Sequence, residues 1–144
     1  MAEPTPTDAI VQLSFAVIGV LTELAAENDL SLTQLRLLGI LRDREPTMLD
    51  LARHLKLEKS SVTGLIDRAV KRGLVERVAA THDGRAIHVR LTEPGHALAA
   101  LGTARVEASM VALLAPLAPR DRARLAALAE AVVSGSGDGF RDQH

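Results

Sequence analysis

The stretch from residue 81 to residue 95, THDGRAIHVRLTEPG, holds side chains that could contact an anionic partner. Asp83, Gly84 and Arg85 form a turn sequence, and apolar and polar residues then alternate as far as Thr92. A turn followed by such alternation predicts the tip and the second strand of a β-hairpin. The arginine at that tip carries a permanent positive charge and can donate several hydrogen bonds. It can bind a phosphate or a base edge, or it can simply pair with the neighbouring Asp83.

The positive charge of the chain is concentrated around this stretch. Residues 53–90 carry nine Lys or Arg against four Asp or Glu, a balance of +5, whereas the rest of the chain carries eight against fourteen, a balance of −6. The formal net charge of all 144 residues is only −1, which is not typical of a protein that coats nucleic acid indiscriminately. The local excess favours a specific contact made by the middle third.

Three short amphipathic helices are predicted before the hairpin. The segment SLTQLRLLGILRD begins with Ser31 and has Gln34 three places on, and TMLDLARHL repeats this capping-box spacing with Thr47 and Asp50. After a short Lys-Leu-Glu link, KSSVTGLIDRAVKRG places its apolar residues on one helical stripe. Helices in this order, followed by a two-stranded hairpin, predict a winged helix-turn-helix lobe over residues 31–92.

Longer helices are predicted on both sides of the lobe. Residues 8–28, with Thr7 as the N-cap, are apolar on more than one side, and such a helix is usually buried from two directions. A long helix and a last helix follow over residues 94–133, and the polar, Gly-rich residues 134–144 are expected to form a disordered tail. The fold class is therefore α+β, mainly α with a small β-hairpin wing, and the 144 residues form one domain.

The third predicted helix carries small or polar residues off its apolar stripe. The candidates for DNA contact are Lys59, Ser60, Ser61, Thr63, Gly64, Arg68 and Lys71. Hydroxyl groups near a helix N-terminus can approach base edges and phosphates, and the Lys and Arg side chains can neutralise backbone charge. A merely solvated helix surface has a similar composition. The positive window and the wing favour double-stranded DNA as the partner.

In their order, these motifs resemble the MarR (multiple antibiotic resistance regulator) family of bacterial transcription factors, over roughly residues 8–133. The most specific parts are RGLVER before the wing and the pattern Asp83, Arg85, Leu91, Thr92 and Gly95. The resemblance implies two winged lobes that bind a pseudo-palindromic operator, and we expect a cytoplasmic repressor. The resemblance also implies a homodimer whose terminal helices, residues 8–28 and 94–133, interlock, so that a charge at Leu24 is expected to disturb the dimer rather than the lobe.

Within the wing, the resemblance implies that Arg85 enters the DNA minor groove and that Asp83 orients it. Two positions depart from the family pattern. Gly64 stands where many relatives have a larger polar or basic residue, which puts base recognition there in doubt. Gly84 stands where another Arg is frequent, so we expect this wing to bind DNA with a shallower salt dependence.

The resemblance also suggests a small-molecule effector in a crevice between the dimer helices and the lobe. Phe15, Arg36 and His54 are candidates for its lining, although core packing or a solvated surface explains each of them singly. Because the chain has two Phe and no Trp or Tyr, an aromatic ligand would have to be held by aliphatic walls and an Arg.

A metal site or another cofactor is not expected. His82, His88 and His96 could ligate zinc together with carboxylates, but they lie on a loop, a strand and a helix start without a short paired spacing. A metal-responsive regulator therefore remains only an alternative. A second alternative is a winged helix that binds an acidic protein partner through its basic surface.

Other classes of protein fit the sequence poorly. The chain has no Cys, which excludes disulfide scaffolds and thiolate chemistry. Too few aromatic residues are present to stack the bases of a single strand. We find no nucleophile turn and no Gly-rich phosphate loop after a strand, so an enzyme is not expected. A run of about 18 apolar residues that could cross a bilayer is also not expected.

Overall fold

The computed structural model describes residues 2–79 and 86–137. Within these residues, helices and strands follow one another as α1 (Pro6–Glu27), α2 (Leu32–Leu41), α3 (Met48–Leu55), α4 (Lys59–Lys71), β1 (Val75–Ala79), β2 (Ile87–Leu91), α5 (Glu93–Leu114) and α6 (Pro119–Ser136). The two strands pair antiparallel, with Val75 opposite Leu91. This architecture confirms the predicted fold class, a mainly α-helical chain with a β-hairpin wing.

The hydrophobic core lies inside the winged lobe. Leu37 of α2, Leu51 of α3, Ile66 of α4 and Val89 of β2 are each 0% exposed. The end of α1 and the start of α5 close this core, and the lobe buries its apolar side chains without any other chain. Its shape is therefore set by contacts within the subunit.

The lobe helices begin where their side chains can cap the backbone. Ser31 and Gln34 form the expected capping box at α2, because each side chain accepts a hydrogen bond from the other residue's backbone N–H. Thr47 and Asp50 do the same at α3. Two boxes predicted from spacing alone are thus confirmed.

The start of α1 differs from the prediction. The N-cap is Thr5, whose hydroxyl accepts a hydrogen bond from the backbone N–H of Asp8, and Pro6 occupies the first turn. The assignment of Thr7 as the cap was wrong, because proline suits the first turn and Asp8 lies three places after Thr5.

The base of the wing is fastened to the start of α5. The backbone N–H of Thr92 donates to the carbonyl of Leu74 at 3.0 Å, and its hydroxyl donates to the carbonyl of Gly73 at 2.5 Å. A Cβ atom at Gly95 would lie 2.0 Å from the carbonyl oxygen of Leu74. Thr92 and Gly95, two residues of the sequence pattern from Asp83 to Gly95, are therefore explained by packing, since they close the hairpin against α5.

Two segments bury little of their apolar surface within the chain. We call them the arms: residues 6–23 of α1 and the whole of α6. Helix α6 has no buried residue. The exposed large apolar side chains of the arms are Ile10, Val11, Leu13, Phe15, Ile18, Leu128, Val132 and Val133.

Leu24 does not belong to this exposed set. It is only 4% exposed within one chain, so a charge there would be buried inside the subunit, and the expected effect on the dimer stays a prediction. Helical spacing alone did not separate the inward side of α1 from its outward side, because both are apolar.

Helices α1 and α5 are long and apolar enough to cross a membrane by length and composition, with mean hydropathies of 1.9 and 1.5. Neither helix is an unbroken apolar run, because α1 contains Gln12 and Ser14 and α5 contains Arg105 and Glu107. Length and composition alone do not assign a membrane span.

Helix α6 continues to Ser136, past the expected start of the tail at residue 134. It ends at Gly137, whose φ of 75° lies in the left-handed region that glycine adopts readily. The rest of the expected tail, residues 138–144, lies outside the described residues.

Candidate nucleic-acid interface

Helix α4 presents the predicted polar face outward. Its inward stripe is Val62, Leu65, Ile66 and Ala69, which are at most 5% exposed. Of the seven predicted contact residues, Gly64 is half-buried and six are exposed, namely Lys59, Ser60, Ser61, Thr63, Arg68 and Lys71. The same packing that orients α4 therefore leaves a polar, cationic surface along one side.

The N-terminal end of α4 has features that suit a phosphate. The side chain of the N-cap residue Glu58 makes no capping hydrogen bond. It therefore does not occupy the first backbone N–H groups of the helix. Such groups bind anions well, and the hydroxyls of Ser60 and Ser61 are exposed at the same end. The hydroxyl of Thr63 donates to the carbonyl of Lys59 at 2.9 Å, so its oxygen can still accept a hydrogen bond.

Gly64 and Arg68 share one patch of the helix surface. A Cβ atom at Gly64 would lie 3.3 Å from Nη1 of Arg68, one turn later on the same face. The guanidinium therefore occupies the space that a larger residue at position 64 would need. Although Gly64 replaces the larger polar or basic residue of many relatives, Arg68 still places a positive charge in this patch.

Asp67 lies on the exposed side of α4, where its negative charge would oppose a phosphate. Its carboxylate accepts a hydrogen bond from Nη2 of Arg77 on β1 at 2.5 Å. The pair neutralises that charge and links the helix to the wing. Sequence reasoning missed Arg77, since a contact ten residues away depends on the angle between α4 and β1.

The hairpin carries a second ion pair on its outer surface. Nε of Arg90 lies 2.6 Å from the carboxylate of Glu76, and the two residues are partners in the strand register. This hydrogen bond, with the attraction of the carboxylate, raises the pKa of Arg90. Arg90 therefore stays charged, but its charge is balanced locally.

The base of the wing is held by the segment between α2 and α3. The backbone N–H of Val89 donates to the carbonyl of Pro46 at 2.9 Å, and Nδ1 of His88 lies 2.6 Å from the carbonyl of Glu45. A carbonyl can only accept, so Nδ1 of His88 carries the proton. His88 is thus engaged in fixing the wing. The predicted tip residues Asp83 and Arg85, like His82, lie outside the described residues.

A crevice of about 580 Å³ lies between α1, α2 and α5. Its walls are mainly aliphatic, with Leu21, Leu35 and Leu98 among them, and its charged lining includes Arg36, Arg42, Asp43 and Glu107. Of the three predicted lining residues it contains only Arg36. His54 is absent from its lining, and Phe15 stands 69% exposed on α1.

Over residues 2–79 and 86–137, no group of three or more His, Asp or Glu side chains is placed to hold a metal ion. His96 lies exposed near the start of α5, and His88 belongs to the wing base. The described residues therefore contain no assembled metal centre.

The geometry of a helix-turn-helix followed by a wing can be compared with known families. Residues 28–86, from the end of α1 into the wing, match the model of the MarR family. This match identifies the region from the end of α1 to the wing as similar to the MarR family. The match includes α2, α3, α4 and β1, and therefore the helix that carries the polar, cationic surface. The match and the exposed face of α4 support a DNA-binding transcriptional regulator.

Solved structures share the fold along most of the chain. Wild-type MarR from E. coli in its apo form is 24% identical, with a TM-score of 0.75, covering 92% of this chain and 99% of that one. A mutant MepR from a multidrug-resistant S. aureus clinical isolate is 20% identical, with a TM-score of 0.79, covering 93% and 99%.

A third solved structure is NadR in complex with 4-hydroxyphenylacetate. It is 21% identical, with a TM-score of 0.76, covering 92% of this chain and 95% of that one. No curated protein sequence matches the chain. The MarR fold, including the arms that the family model does not cover, is thus shared with these structures.

Proposed function

We propose that this protein is a homodimeric MarR-family repressor that binds a pseudo-palindromic operator and is released by a small acidic effector. The observation that carries the proposal is the exposed face of α4, with hydroxyls at its N-terminal end and Arg68 and Lys71 further along, on a lobe whose core is buried within one chain. In a dimer, two such helices enter successive major grooves, about 10 base pairs apart.

The exposed arms support the dimer. Side chains such as Phe15 and Val132 are 69% and 63% exposed in one chain, which is costly for a soluble protein unless a second surface covers them. A second copy offers the same apolar surface, and a two-fold axis lets each arm pack on its counterpart. Dimerisation also accounts for the two apolar helices without a membrane, which fits a cytoplasmic repressor.

The wing supplies the minor-groove contact in this proposal. Backbone hydrogen bonds of Val89 and Thr92 fix the base of the wing. Arg85 enters the minor groove and Asp83 orients it.

Selection of binding sites from a random duplex library tests DNA recognition and the wing together. The wild type should enrich a two-fold symmetric site, and Arg85→Ala should bind that site more weakly by about 1–3 kcal/mol. Enrichment without dyad symmetry would contradict the dimer. Equal affinity of Arg85→Ala would contradict the wing assignment.

Lys71→Ala is the matched control for a contact with phosphate alone. Neutralising one phosphate contact should weaken all sequences alike and reduce the slope of log affinity against log salt by about one unit. A change in the selected sequence would instead assign Lys71 to base recognition.

The effector is proposed to bind in the crevice between α1, α2 and α5. Aliphatic walls beside Arg36 and Arg42 suit an apolar body that carries one carboxylate. The 4-hydroxyphenylacetate bound by NadR, which has a similar fold, has this chemistry and is a reasonable first ligand to try.

Thermal unfolding in the presence of aryl carboxylates tests this assignment. A ligand at about one hundred times its dissociation constant should stabilise the wild type by roughly 2.7 kcal/mol. Arg36→Gln should lose most of that stabilisation, and Arg53→Gln, an exposed arginine outside the crevice lining, should keep it. Equal loss in both variants would show general charge attraction rather than this site.

A winged helix that docks an acidic protein through the same cationic face is the second candidate. It predicts binding that depends on salt but selects no duplex sequence. Failure of the library to enrich any site would favour it.

A further inference from the structure

Arg72, the C-cap of the recognition helix, reaches across to the end of α1. Its Nη1 donates to the carbonyl of Asp29 at 2.9 Å, and its Nη2 donates to the carbonyl of Asn28 at 3.0 Å. These residues are separated from Arg72 by more than 40 positions in the chain. The contact therefore joins the helix that faces DNA to the helix that continues into an arm.

The charges at both ends of this contact favour it. Asn28 is the C-cap of α1, where carbonyl groups without helical partners carry partial negative charge. Arg72 stands at the C-terminal end of α4, which also favours a cation. Asp29 has a φ of 53°, a left-handed conformation that turns the chain after α1. The planar guanidinium can then hold two neighbouring carbonyls at once, which a lysine ammonium cannot match.

Asn28 connects this contact to the crevice. It lines the crevice, and its side-chain amide donates to the carbonyl of Leu24 at 3.0 Å, one turn back in α1. Leu24 lines the crevice as well. A ligand that displaces the end of α1 would therefore move the two carbonyls that Arg72 holds.

We infer that Arg72 is a positioning residue that fixes the recognition helix relative to the dimerisation helix and thereby sets the distance between the two recognition helices. This inference rests on the proposed dimeric function. Arg72 acts through α1 rather than through DNA, since both of its terminal nitrogens donate to protein carbonyls.

The distance between the two recognition helices can be measured directly. Because the chain contains no Cys, Ser60→Cys introduces one spin label per subunit at the N-terminal end of α4. Double electron–electron resonance on the labelled dimer should give one narrow distribution centred near roughly 34 Å, about one turn of duplex. Arg72→Gln and Arg72→Lys, each in the labelled chain, should broaden or shift that distribution, and Lys71→Gln should leave it unchanged.

Each outcome bears on one of the proposals. Distributions for both Arg72 variants that superimpose on the Lys71→Gln control would overturn the inference while the dimer stands. A normal distribution for Arg72→Lys with a broadened one for Arg72→Gln would support the positioning role and assign it to the charge rather than to the paired hydrogen bonds. If the wild type gives no intersubunit distance, the dimer proposal itself fails and the inference fails with it.

Operator spacing provides a functional readout that a loss of stability would not reproduce. The wild type should prefer one half-site spacing. In both Arg72 variants the ratio of affinities between that spacing and the others should fall about tenfold, as expected when a pair of charge-assisted hydrogen bonds is lost. Lys71→Gln should weaken binding at every spacing alike. An unchanged spacing preference in folded Arg72→Gln would contradict the inference.

Discussion

The lobe and the arms are built from the same aliphatic residues, but they bury them to different extents. Ile66 and Leu51 in the lobe are 0% exposed, whereas Val132 and Phe15 in the arms are 63% and 69% exposed. The lobe obtains its stability from contacts within one chain. The arms, by the proposed function, obtain theirs only when a second copy covers them. Substitutions in the two regions should therefore differ in kind as well as in size.

The largest effect is expected inside the lobe. Ile66→Ala removes a fully buried side chain from the core and should lower the free energy of unfolding by about 2–5 kcal/mol. Val70→Ala on the same helix, where the side chain is 39% exposed, should cost much less. Urea unfolding with equal m-values checks this pair. Similar losses for both would mean that α4 is held less tightly than its burial indicates.

A charge in an arm should affect association instead. Val132→Asp places a carboxylate in the proposed dimer surface and should weaken dimerisation by about 3 kcal/mol, because an unpaired charge would be buried. Light scattering should then show the mass falling from twice 15.3 kDa towards 15.3 kDa on dilution. The circular dichroism of the lobe helices should be retained. An undiminished dimer would place Val132 outside the interface.

An intermediate effect is expected where the lobe joins α5. Gly95→Ala would bring its Cβ to 2.0 Å from the carbonyl oxygen of Leu74 and should cost about 1–3 kcal/mol, as overpacking does. Gly102→Ala is the control on the same helix. Its Cβ would lie 3.9 Å from Leu24, so it should be neutral or stabilising. Thermal melts of the two variants at one concentration distinguish steric crowding from helix propensity.

The smallest effect is expected at the ion pair between α4 and β1. Arg77→Gln should change stability by less than about 1 kcal/mol, since the pair is exposed. It should still weaken operator binding by roughly two- to fivefold, because the charge of Asp67 would face phosphate unbalanced. Arg90→Gln removes an equal charge but leaves Asp67 paired, and it should weaken binding less. Equal losses would mean that only net charge matters.

The parts of the fold that sequence predicted well are those set by neighbouring residues. The capping boxes at Ser31 and Thr47 and the outward face of α4 depend on spacing within one or two turns. The first turn of α1 depends on spacing as well. There the choice between Thr5 and Thr7 required weighing Pro6, which the prediction did not do.

Contacts between distant elements were not predictable in the same way. Arg72 and Arg77 look like two more surface cations in the sequence, and only the packing of α4 against α1 and β1 gives them partners. The crevice shows the same limit, because Arg36 lines it whereas Phe15 does not. Residue type suggests what a side chain can bind, but the angle between helices decides what it meets.

The fastening at the base of the wing also makes the hairpin tip a replaceable part. Thr92 and Gly95 lock the strands to α5 below the tip, so a longer or differently charged loop between β1 and β2 need not disturb the lobe. Tips exchanged between regulators of this architecture could therefore alter minor-groove preference while the scaffold stays the same. A protein engineer would leave residues 91–95 unchanged and vary only the loop between β1 and β2.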